Sequence, residues 1–223
     1  MVISFSGLDC AGKSTQIELL KTHLAEKGYL PEVVWSRGGY TPGIEFLKGL
    51  IRKDVRKPEE RTEEERKAMV EREPRGGKLL LWLSILDLIR YWSITFKRKS
   101  KGNKVLICDR YFWDTFIDFK LRYPQIKFEN WLSWKILEKV YQKPNCAFCL
   151  TVTPEESMRR SSLKFEPFPE TEEKRKQRLN EYLKCIDDGR WEHIIDCMCD
   201  IDSIQKEIVS IVDKLLEKKR NNE

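Results

Sequence analysis

The chain has 223 residues, of which 40% are hydrophobic and 35% charged, and 42 Lys and Arg residues against 36 Asp and Glu residues give a formal net charge of +6. A chain of this length and hydrophobic content buries a substantial core, so we expect a single domain spanning 1–223. The modest positive charge does not require a nucleic acid partner, because the basic clusters at 97–99 and 218–220 are typical of solvated helix ends.

Neither a membrane segment nor an export signal is predicted. The apolar run that begins at Leu79 continues to Ile94, but Asp87 and Arg90 interrupt it, which argues against a membrane span. The first residues, MVISFSGLD, lack the basic region and long apolar core of a signal peptide. Seven cysteines, an odd number, favour reduced thiols over a disulfide framework. These features predict a cytoplasmic protein.

Short apolar runs alternate with longer helical patterns along the chain. In chain order, the pattern predicts a strand at 2–5, a helix at 14–27, a strand at 32–35, a helix at 77–97, a strand at 104–108, a helix at 131–141, a strand at 147–152, a helix at 170–185, a strand at 193–195 and a helix at 201–218. Another helix should begin at Pro154. Such alternation predicts an α/β fold with a five-stranded parallel sheet flanked by helices. The charged segment at 53–75 predicts an exposed helical excursion, either a flap near substrate or solvated surface.

The stretch GLDCAGKST lies between the first predicted strand and the first predicted helix. Its spacing matches the phosphate-binding pattern G-x-x-x-x-G-K-[ST], in which glycines let backbone N–H groups turn towards an anion at a helix N-terminus. Lys13 is expected to neutralise the transferred phosphoryl group, and Ser14 to ligate Mg²⁺. A nucleoside triphosphate site is therefore predicted, formed by Gly7, Asp9, Cys10, Ala11, Gly12, Lys13, Ser14 and Thr15.

An acidic residue, Asp109, ends the third predicted strand, where a carboxylate can order magnesium and its waters. Arg110 follows directly, and its guanidinium suits bidentate capture of a second phosphate or a carboxylate. A GTPase would carry a Gly shortly after this Asp and an Asn-Lys-x-Asp guanine-binding motif, and the sequence has neither. A motor or AAA-type ATPase needs an appended helical domain that this length hardly accommodates. The remaining interpretation is a kinase that acts on a small acceptor.

Four segments resemble motifs of one family. They are GLDCAGKST, CDRYFWDT at 108–115, Arg37-Gly-Gly-Tyr-Thr-Pro, and His-Ile-Ile-Asp at 193–196. They are similar to the GLDGAGKST loop, the Asp-Arg-Tyr strand end, the Arg-Glu-Pro-Gly-Gly-Thr-Pro segment and the Ile-Asp-Ala ending of thymidylate kinases, which are P-loop nucleoside monophosphate kinases. The resemblance runs through the whole chain. It implies a P-loop kinase fold with a small lid at about 159–170, ATP and Mg²⁺ as cofactors, and a homodimer.

The resemblance also implies roles for individual residues. Asp9 would hold the sugar hydroxyl of the acceptor, while Arg37 and Arg110 would grip the acceptor phosphate. These roles are physically reasonable, because two phosphorylated substrates approach each other only with cations between them. Phosphoryl transfer depends mainly on positioning and charge stabilisation. A second match to the Arg-Glu-Pro segment, at 72–77, comes after the charged excursion, so we prefer Arg37.

The interior of the phosphate loop contains no arginine, so the resemblance implies that the lid delivers one. Arg159 or Arg160 is expected to take this catalytic role, with Lys164 as the alternative. An equally open interpretation is a surface helix end, whose basic residues complement the helix dipole.

The thymine pocket of the family is altered in this chain. On the helix that carries a Phe and an Asp-Arg pair in the family, Asp87 is present, but Ser84 and Leu88 replace the Phe and the Arg. Arg90 either takes the place of the missing guanidinium or, as we favour, forms an i,i+3 ion pair with Asp87. After Tyr111 come Asp114 and Asp118, where the family has a serine and a tyrosine; they either bind acceptor hydroxyls or face solvent.

The leading hypothesis is an ATP- and Mg²⁺-dependent nucleoside monophosphate kinase that converts dTMP and ATP into dTDP and ADP. A kinase of the same fold that acts on a nucleoside or a non-nucleotide metabolite is the first alternative, since the base pocket is altered. A regulatory protein that binds nucleotide without catalysis is the second, and the intact Lys13, Ser14, Asp109 and Arg110 argue against it.

Overall fold

Five parallel strands form one sheet in the computed structural model, which describes residues 1–35, 62, 64–65, 77–100, 104–163 and 170–221. The strands are β1 Val2–Gly7, β2 Leu30–Trp35, β3 Lys104–Asp109, β4 Cys146–Thr151 and β5 His193–Asp196, in the order β2-β3-β1-β4-β5. The helices are α1 Lys13–Glu26, α2 Gly77–Arg90, α3 Lys97–Lys99, α4 Phe112–Arg122, α5 Leu132–Val140, α6 Pro154–Ser161, α7 Glu172–Asp187 and α8 Ile201–Arg220. The predicted α/β fold is confirmed.

The sheet topology opens a crevice at the carboxyl ends of β1 and β3. These strands are neighbours, with Phe5 level with Asp109. From β1 the chain runs to β2, on one side of this pair of strands, and from β3 it runs to β4, on the other side. Ligands of open α/β sheets bind where connections diverge in this way, and the phosphate loop between β1 and α1 lies at this edge.

Both faces of the sheet are buried at the central strands β1, β3 and β4, which explains why these strands read as nearly continuous apolar runs. On one face, Ile3 and Phe5 join a cluster that includes Leu20 of α1 and Ile208 of α8. On the other face, Val2, Leu106 and Cys108 join a cluster with Leu81 and Ile85 of α2 and Trp134 of α5. The helices of the two clusters therefore hold the strand ends that carry the predicted site.

The predicted boundaries lie within two residues of those observed. The helix predicted at 77–97 consists of α2, a π-helical turn at Tyr91–Phe96 and α3. In this turn the rings of Trp92 and Phe96 lie 4.5 Å apart, and both pack on Tyr111. The sequence indicated helix α4 only through Asp114 and Asp118, whose spacing puts both side chains on one helix face. The single domain over 1–223 stays a prediction.

The span Gly77–Lys99 is 23 residues long and apolar enough, by length and composition alone, to cross a membrane, and 33% of its most apolar window is buried. One such helix is weak evidence, because the core helix of a soluble protein passes the same test. Leu81, Ile85 and Leu88 of this span are at most 2% exposed within the core.

Several predicted features lie outside the described residues. They are Arg37, Lys164, the lid residues 164–169, and the charged excursion at 53–75 apart from its residues 62, 64 and 65.

Candidate active site

The backbone of the phosphate loop depends on glycine at its first position. Gly7 has φ 132°, and a Cβ there would lie 2.1 Å from the carbonyl oxygen of Leu150 on β4. Gly12, with φ 94°, precedes the first residue of α1, and Cys10 also has a positive φ of 60°. Positive φ values turn the chain sharply between strand and helix, which directs N–H groups into the loop. The loop thus has the backbone geometry of an anion cradle.

Lys13 is the first residue of α1 and is buried inside the loop. Its Nζ donates to the carbonyl oxygens of Gly7, at 3.0 Å, and Leu8, at 2.6 Å. Burial first, and then the charge of Arg110, lower the pKa of Lys13 from 10.5 to about 8. Ser14 and Thr15, by contrast, are exposed. The loop therefore holds a desolvated ammonium whose charged form an incoming phosphate would stabilise.

Asp109 presents a buried carboxylate oxygen at the end of β3. Among the described residues, no hydrogen-bond partner reaches its Oδ1. Burial raises the pKa of Asp109, against the opposing charges of Lys13 and Arg110. An acidic oxygen without a donor fits a cation or a water that a cation holds. Together with the exposed Ser14 hydroxyl, this oxygen fits the predicted Mg²⁺ ligation.

Arg110 lies beside the loop with its side chain only 5% exposed. Its backbone has φ 66°, and its N–H donates to the carbonyl oxygen of Phe5 at 2.9 Å. The guanidinium donates to the carboxylate of Asp9 and, at 3.4 Å, to the hydroxyl of Tyr182. The fold therefore brings together two of the residues that the sequence assigns to the acceptor.

Asp114 lies in the interior, which differs from both alternatives considered for it. The residue is 0% exposed. Its carboxylate accepts hydrogen bonds from the hydroxyls of Ser6 and Tyr182, each at 2.5 Å, and from the N–H of Tyr111 at 2.9 Å. A carboxylate saturated by protein donors is not open to a substrate, and it does not face solvent. The predicted direct contact with acceptor hydroxyls is therefore withdrawn for Asp114.

Asp118 does not face solvent either. Its carboxylate accepts from Arg178 of α7 at 2.6 Å, and the same guanidinium donates to both oxygens of Glu170. The side chains of Asp118 and Glu170 are each 11% exposed, and that of Arg178 is 5% exposed. The ion-pair network draws the carboxylate towards α7, so contact with an acceptor at Asp118 would have to compete with Arg178.

The i,i+3 ion pair between Asp87 and Arg90 is confirmed. Nε and an Nη of Arg90 both donate to one carboxylate oxygen of Asp87, at 3.1 and 2.9 Å. Arg90 is 55% exposed, whereas Asp87 is 12% exposed. Contact of this pair with an acceptor stays a prediction.

The two predicted lid arginines share one partner on α6. Arg159 and Arg160 both pair with Glu156, at 2.7 Å, and hold the pKa of this carboxyl at about 2. Arg159 is 65% exposed, while Arg160 also donates to the carbonyl oxygen of Cys197, beyond the end of β5, at 2.8 Å. Arg160 thus ties α6 to the loop between β5 and α8. Which arginine acts in catalysis stays a prediction.

Four buried residues around the loop were not found from the sequence: Ser6, Ser157, Arg175 and Tyr182. Ser157 donates to the carbonyl oxygen of Asp9 at 2.7 Å, and Arg175 donates to the hydroxyl of Ser157 at 2.6 Å. Arg175, Arg178, Tyr182 and Cys185 are the buried residues of α7. Their i, i+3, i+7, i+10 spacing is the signal that could have found this polar face.

Comparison with known proteins agrees with the geometry of this edge of the sheet. The thymidylate kinase family profile matches residues 5–208. The chain belongs to the thymidylate kinase family. It is 30% identical to a "Probable thymidylate kinase" of Thermococcus kodakarensis over 97% of this chain and 98% of that protein. It is 24% identical to the "Thymidylate kinase" of Symbiobacterium thermophilum over 97% of this chain and 94% of that protein. Membership of the thymidylate kinase family makes this protein a kinase of the nucleoside monophosphate kinase group.

Solved structures support the P-loop kinase fold. Thymidylate kinase from Ehrlichia chaffeensis superposes with a TM-score of 0.54 at 21% identity, covering 96% of this chain and 98% of that one. Deoxyadenosine kinase from M. mycoides with bound dATP superposes with a TM-score of 0.63 at 15% identity, covering 96% and 100%. At these identities the likeness is one of fold. Members of the thymidylate kinase family use ATP as phosphate donor, typically with Mg²⁺.

Proposed function

We propose that this protein transfers the γ-phosphoryl group of ATP to a nucleoside monophosphate, with dTMP as the first acceptor to test. One observation carries the proposal: two buried cations, Lys13 in the phosphate loop and Arg110 at the end of β3, both donate to the carbonyl oxygen of Gly7, at 3.0 and 3.5 Å. One cation serves the donor phosphates and the other the acceptor phosphate. Family membership and the names of the relatives support dTMP as the acceptor.

Each of these residues would have a role in the reaction. The loop N–H groups and Lys13 would bind the β- and γ-phosphates of ATP. Arg110 would hold the acceptor phosphate in line with the γ-phosphorus, while Asp9 would fix the acceptor sugar. Because the protein contributes positioning and charge stabilisation, it needs no covalent intermediate. Arg159 or Arg160 would complete the charge stabilisation from α6.

Mg²⁺ would be held by Ser14 and by Asp109, directly or through water. Held there, the ion would supply positive charge that offsets the negative charge of the phosphates. The buried Oδ1 of Asp109 has no hydrogen-bond partner among the described residues, which supports this placement, since a carboxylate desolvated without a donor is costly unless a cation meets it.

ADP release, coupled to NADH oxidation, tests the proposal with ATP and Mg²⁺ against dTMP, dUMP, UMP, dCMP, CMP, thymidine and the other nucleosides. We expect the highest kcat/KM with dTMP. Lys13→Ala should lower kcat by at least about 10³-fold, because it removes the cation that meets the transferred group. Lys21→Ala is the matched control, since Lys21 lies on the same helix, exposed, and pairs with Glu18.

The outcomes of this panel separate the alternatives. Turnover of nucleosides but not of monophosphates would show that the acceptor is a nucleoside. ATP binding without turnover of any acceptor in the panel would contradict the proposed reaction and favour a regulatory protein or a metabolite kinase. An active Lys13→Ala variant would show that this loop does not form the donor site.

We also propose a homodimer, which the family resemblance implies. Within the described chain, α2 exposes Leu79 by 63%, Trp82 by 44% and Leu86 by 38%, at i, i+3 and i+7 on one face. Leu79, Trp82 and Leu132 line a groove of about 500 Å³ between α2 and α5. An apolar face of this kind is typical of an interface between subunits.

Sedimentation equilibrium tests the homodimer. The wild-type protein should have twice the monomer mass, and Trp82→Glu should lower the measured mass. A wild-type monomer would contradict the proposal.

We assign the protein to the cytoplasm, without a membrane or nucleic acid partner. The seven cysteines, all of which are described residues, form no disulfide, which agrees with a reducing compartment.

A further inference from the structure

Arg110 has two differently exposed sides. Towards the crevice it contacts Asp9, whose side chain is 35% exposed. Towards the interior it contacts Asp114, at 3.5 Å, and the hydroxyl of Tyr182, at 3.4 Å, and neither residue is more than 1% exposed. A substrate can approach the guanidinium only from the crevice, so its interior contacts remain with the protein during binding.

The interior contacts form a closed hydrogen-bonded cluster. One oxygen of Asp114 accepts from Tyr182 at 2.5 Å and from Arg110, and the other accepts from Ser6 at 2.5 Å and from the N–H of Tyr111 at 2.9 Å. Four donors therefore share the two oxygens. A network this complete fixes its members in one geometry, because any rearrangement would leave a buried polar group without a partner.

The same carboxylate also fixes the backbone beside Arg110. Asp114 is the third residue of α4, and its bond to the Tyr111 N–H forms half of a capping box. Arg110 itself has a positive φ of 66°, a conformation that non-glycine residues adopt only when their surroundings enforce it. The helix start held by Asp114 and the bond from the Arg110 N–H to Phe5 on β1 enforce it from both sides.

We propose that Asp114 and Tyr182 are positioning residues, which hold the guanidinium of Arg110 in the orientation that receives the acceptor phosphate. The inference rests on the proposed function of Arg110. Asp114 supplies the counter-charge and the helix start, and Tyr182 joins Asp114 to Arg110 from α7. Neither residue touches the substrate, so both act through Arg110.

Steady-state kinetics of Asp114→Asn, Tyr182→Phe and the double variant test the proposal. Each single variant should raise the acceptor KM about tenfold and leave the ATP KM within about twofold, because a charge-assisted contact to Arg110 is lost. The double variant should raise the acceptor KM by much less than about a hundredfold, because both changes act on the same guanidinium.

Tyr111→Phe is the matched control. It also removes a buried tyrosine hydroxyl, whose hydrogen bond runs to the carbonyl oxygen of Gln142 at 2.6 Å, away from Arg110. It should lower the melting temperature as Tyr182→Phe does, without raising the acceptor KM. A melting temperature that falls in all variants while the acceptor KM stays unchanged, or an ATP KM that rises as much as the acceptor KM, would overturn the positioning role.

A second readout does not depend on turnover. The guanidinium Nε–H resonance of Arg110, assigned by its loss in Arg110→Lys, should be sharp in the wild-type protein and broadened in Asp114→Asn and Tyr182→Phe. If the wild-type protein phosphorylates no acceptor, the proposed function fails, whereas the resonance still tests the positioning. An unchanged resonance in both variants would show that these residues do not hold Arg110.

Discussion

The hydroxyl of Ser157 donates to the backbone carbonyl of Asp9 at 2.7 Å and so links α6 to the phosphate loop. Ser157 is fully buried and in turn accepts a hydrogen bond from Arg175 of α7 at 2.6 Å. The loop that precedes α1 is therefore held from outside by two helices that follow β4. Because α6 also carries Arg159 and Arg160, the helix that holds the loop is the one expected to deliver the catalytic arginine.

Ser157→Ala should destabilise the protein and weaken nucleotide binding. The change removes both hydrogen bonds of the Ser157 hydroxyl, to the Asp9 carbonyl and from the Arg175 guanidinium, which costs about 1–3 kcal/mol of the free energy of unfolding. Urea denaturation and the KM for ATP measure the two effects. Ser84→Ala is the control, since the Ser84 hydroxyl donates to the carbonyl oxygen of Leu80 in its own helix, at 2.8 Å. Equal effects of the two changes would contradict a special role for Ser157.

ATP affinity should fall as the pH rises through about 8, the pKa to which burial lowers Lys13. The free protein loses the Lys13 proton above this pH, whereas bound phosphates favour the protonated ammonium, so binding at higher pH must take up a proton. Calorimetry of ATP binding at pH 9 in buffers of different ionisation enthalpy measures this uptake. In Lys13→Arg the uptake should disappear, because Arg stays charged. Equal uptake in wild type and Lys13→Arg would assign the proton to another group.

Asp109→Asn should affect activity and stability in opposite directions. The amide cannot supply the charge that Mg²⁺ requires, so the Mg²⁺ concentration for half-maximal turnover should rise at least about tenfold. Since burial raises the pKa of Asp109, its ionised form destabilises the fold, and the variant should melt at the same temperature or higher in EDTA. A lower melting temperature together with an unchanged Mg²⁺ requirement would assign Asp109 a structural role only.

Arg178→Met should destabilise the protein strongly. It removes the cation that pairs with the largely buried carboxylates of Asp118 and Glu170, and loss of one partner of a buried pair costs about 3–5 kcal/mol in comparable cases. Lys184→Met on the same helix is the control, because Lys184 is 69% exposed and its loss should change the free energy of unfolding by less than about 0.5 kcal/mol. Urea denaturation compares the two. A similar, small loss in both would contradict the importance of the Asp118 to Arg178 contact.

Sequence reasoning did not find the surroundings of Asp114 and Asp118, and Asp114 shows why. Its position on α4 and its acidic character suggested a surface carboxylate near the acceptor. Its hydroxyl donors, Ser6 and Tyr182, lie 108 and 68 residues away in sequence. Asp118 likewise meets Arg178 across 60 residues. The spacing of residues along a helix predicts which helix face each side chain occupies, but it does not predict which other parts of the chain pack against that face.

The sequence by itself determined the phosphate-loop motif, the acidic residue at the end of β3 and the five-stranded parallel sheet. These features are local: glycine spacing, strand and helix patterns and the strand end act within a few residues of the chain. Only the tertiary structure decided that Arg110 is held from the interior by Asp114 and Tyr182, that Ser157 holds the loop, and that Asp118 pairs with α7. Such contacts depend on the packing of α4, α6 and α7 around one crevice, where burial forces each polar group to find a partner, however distant in sequence.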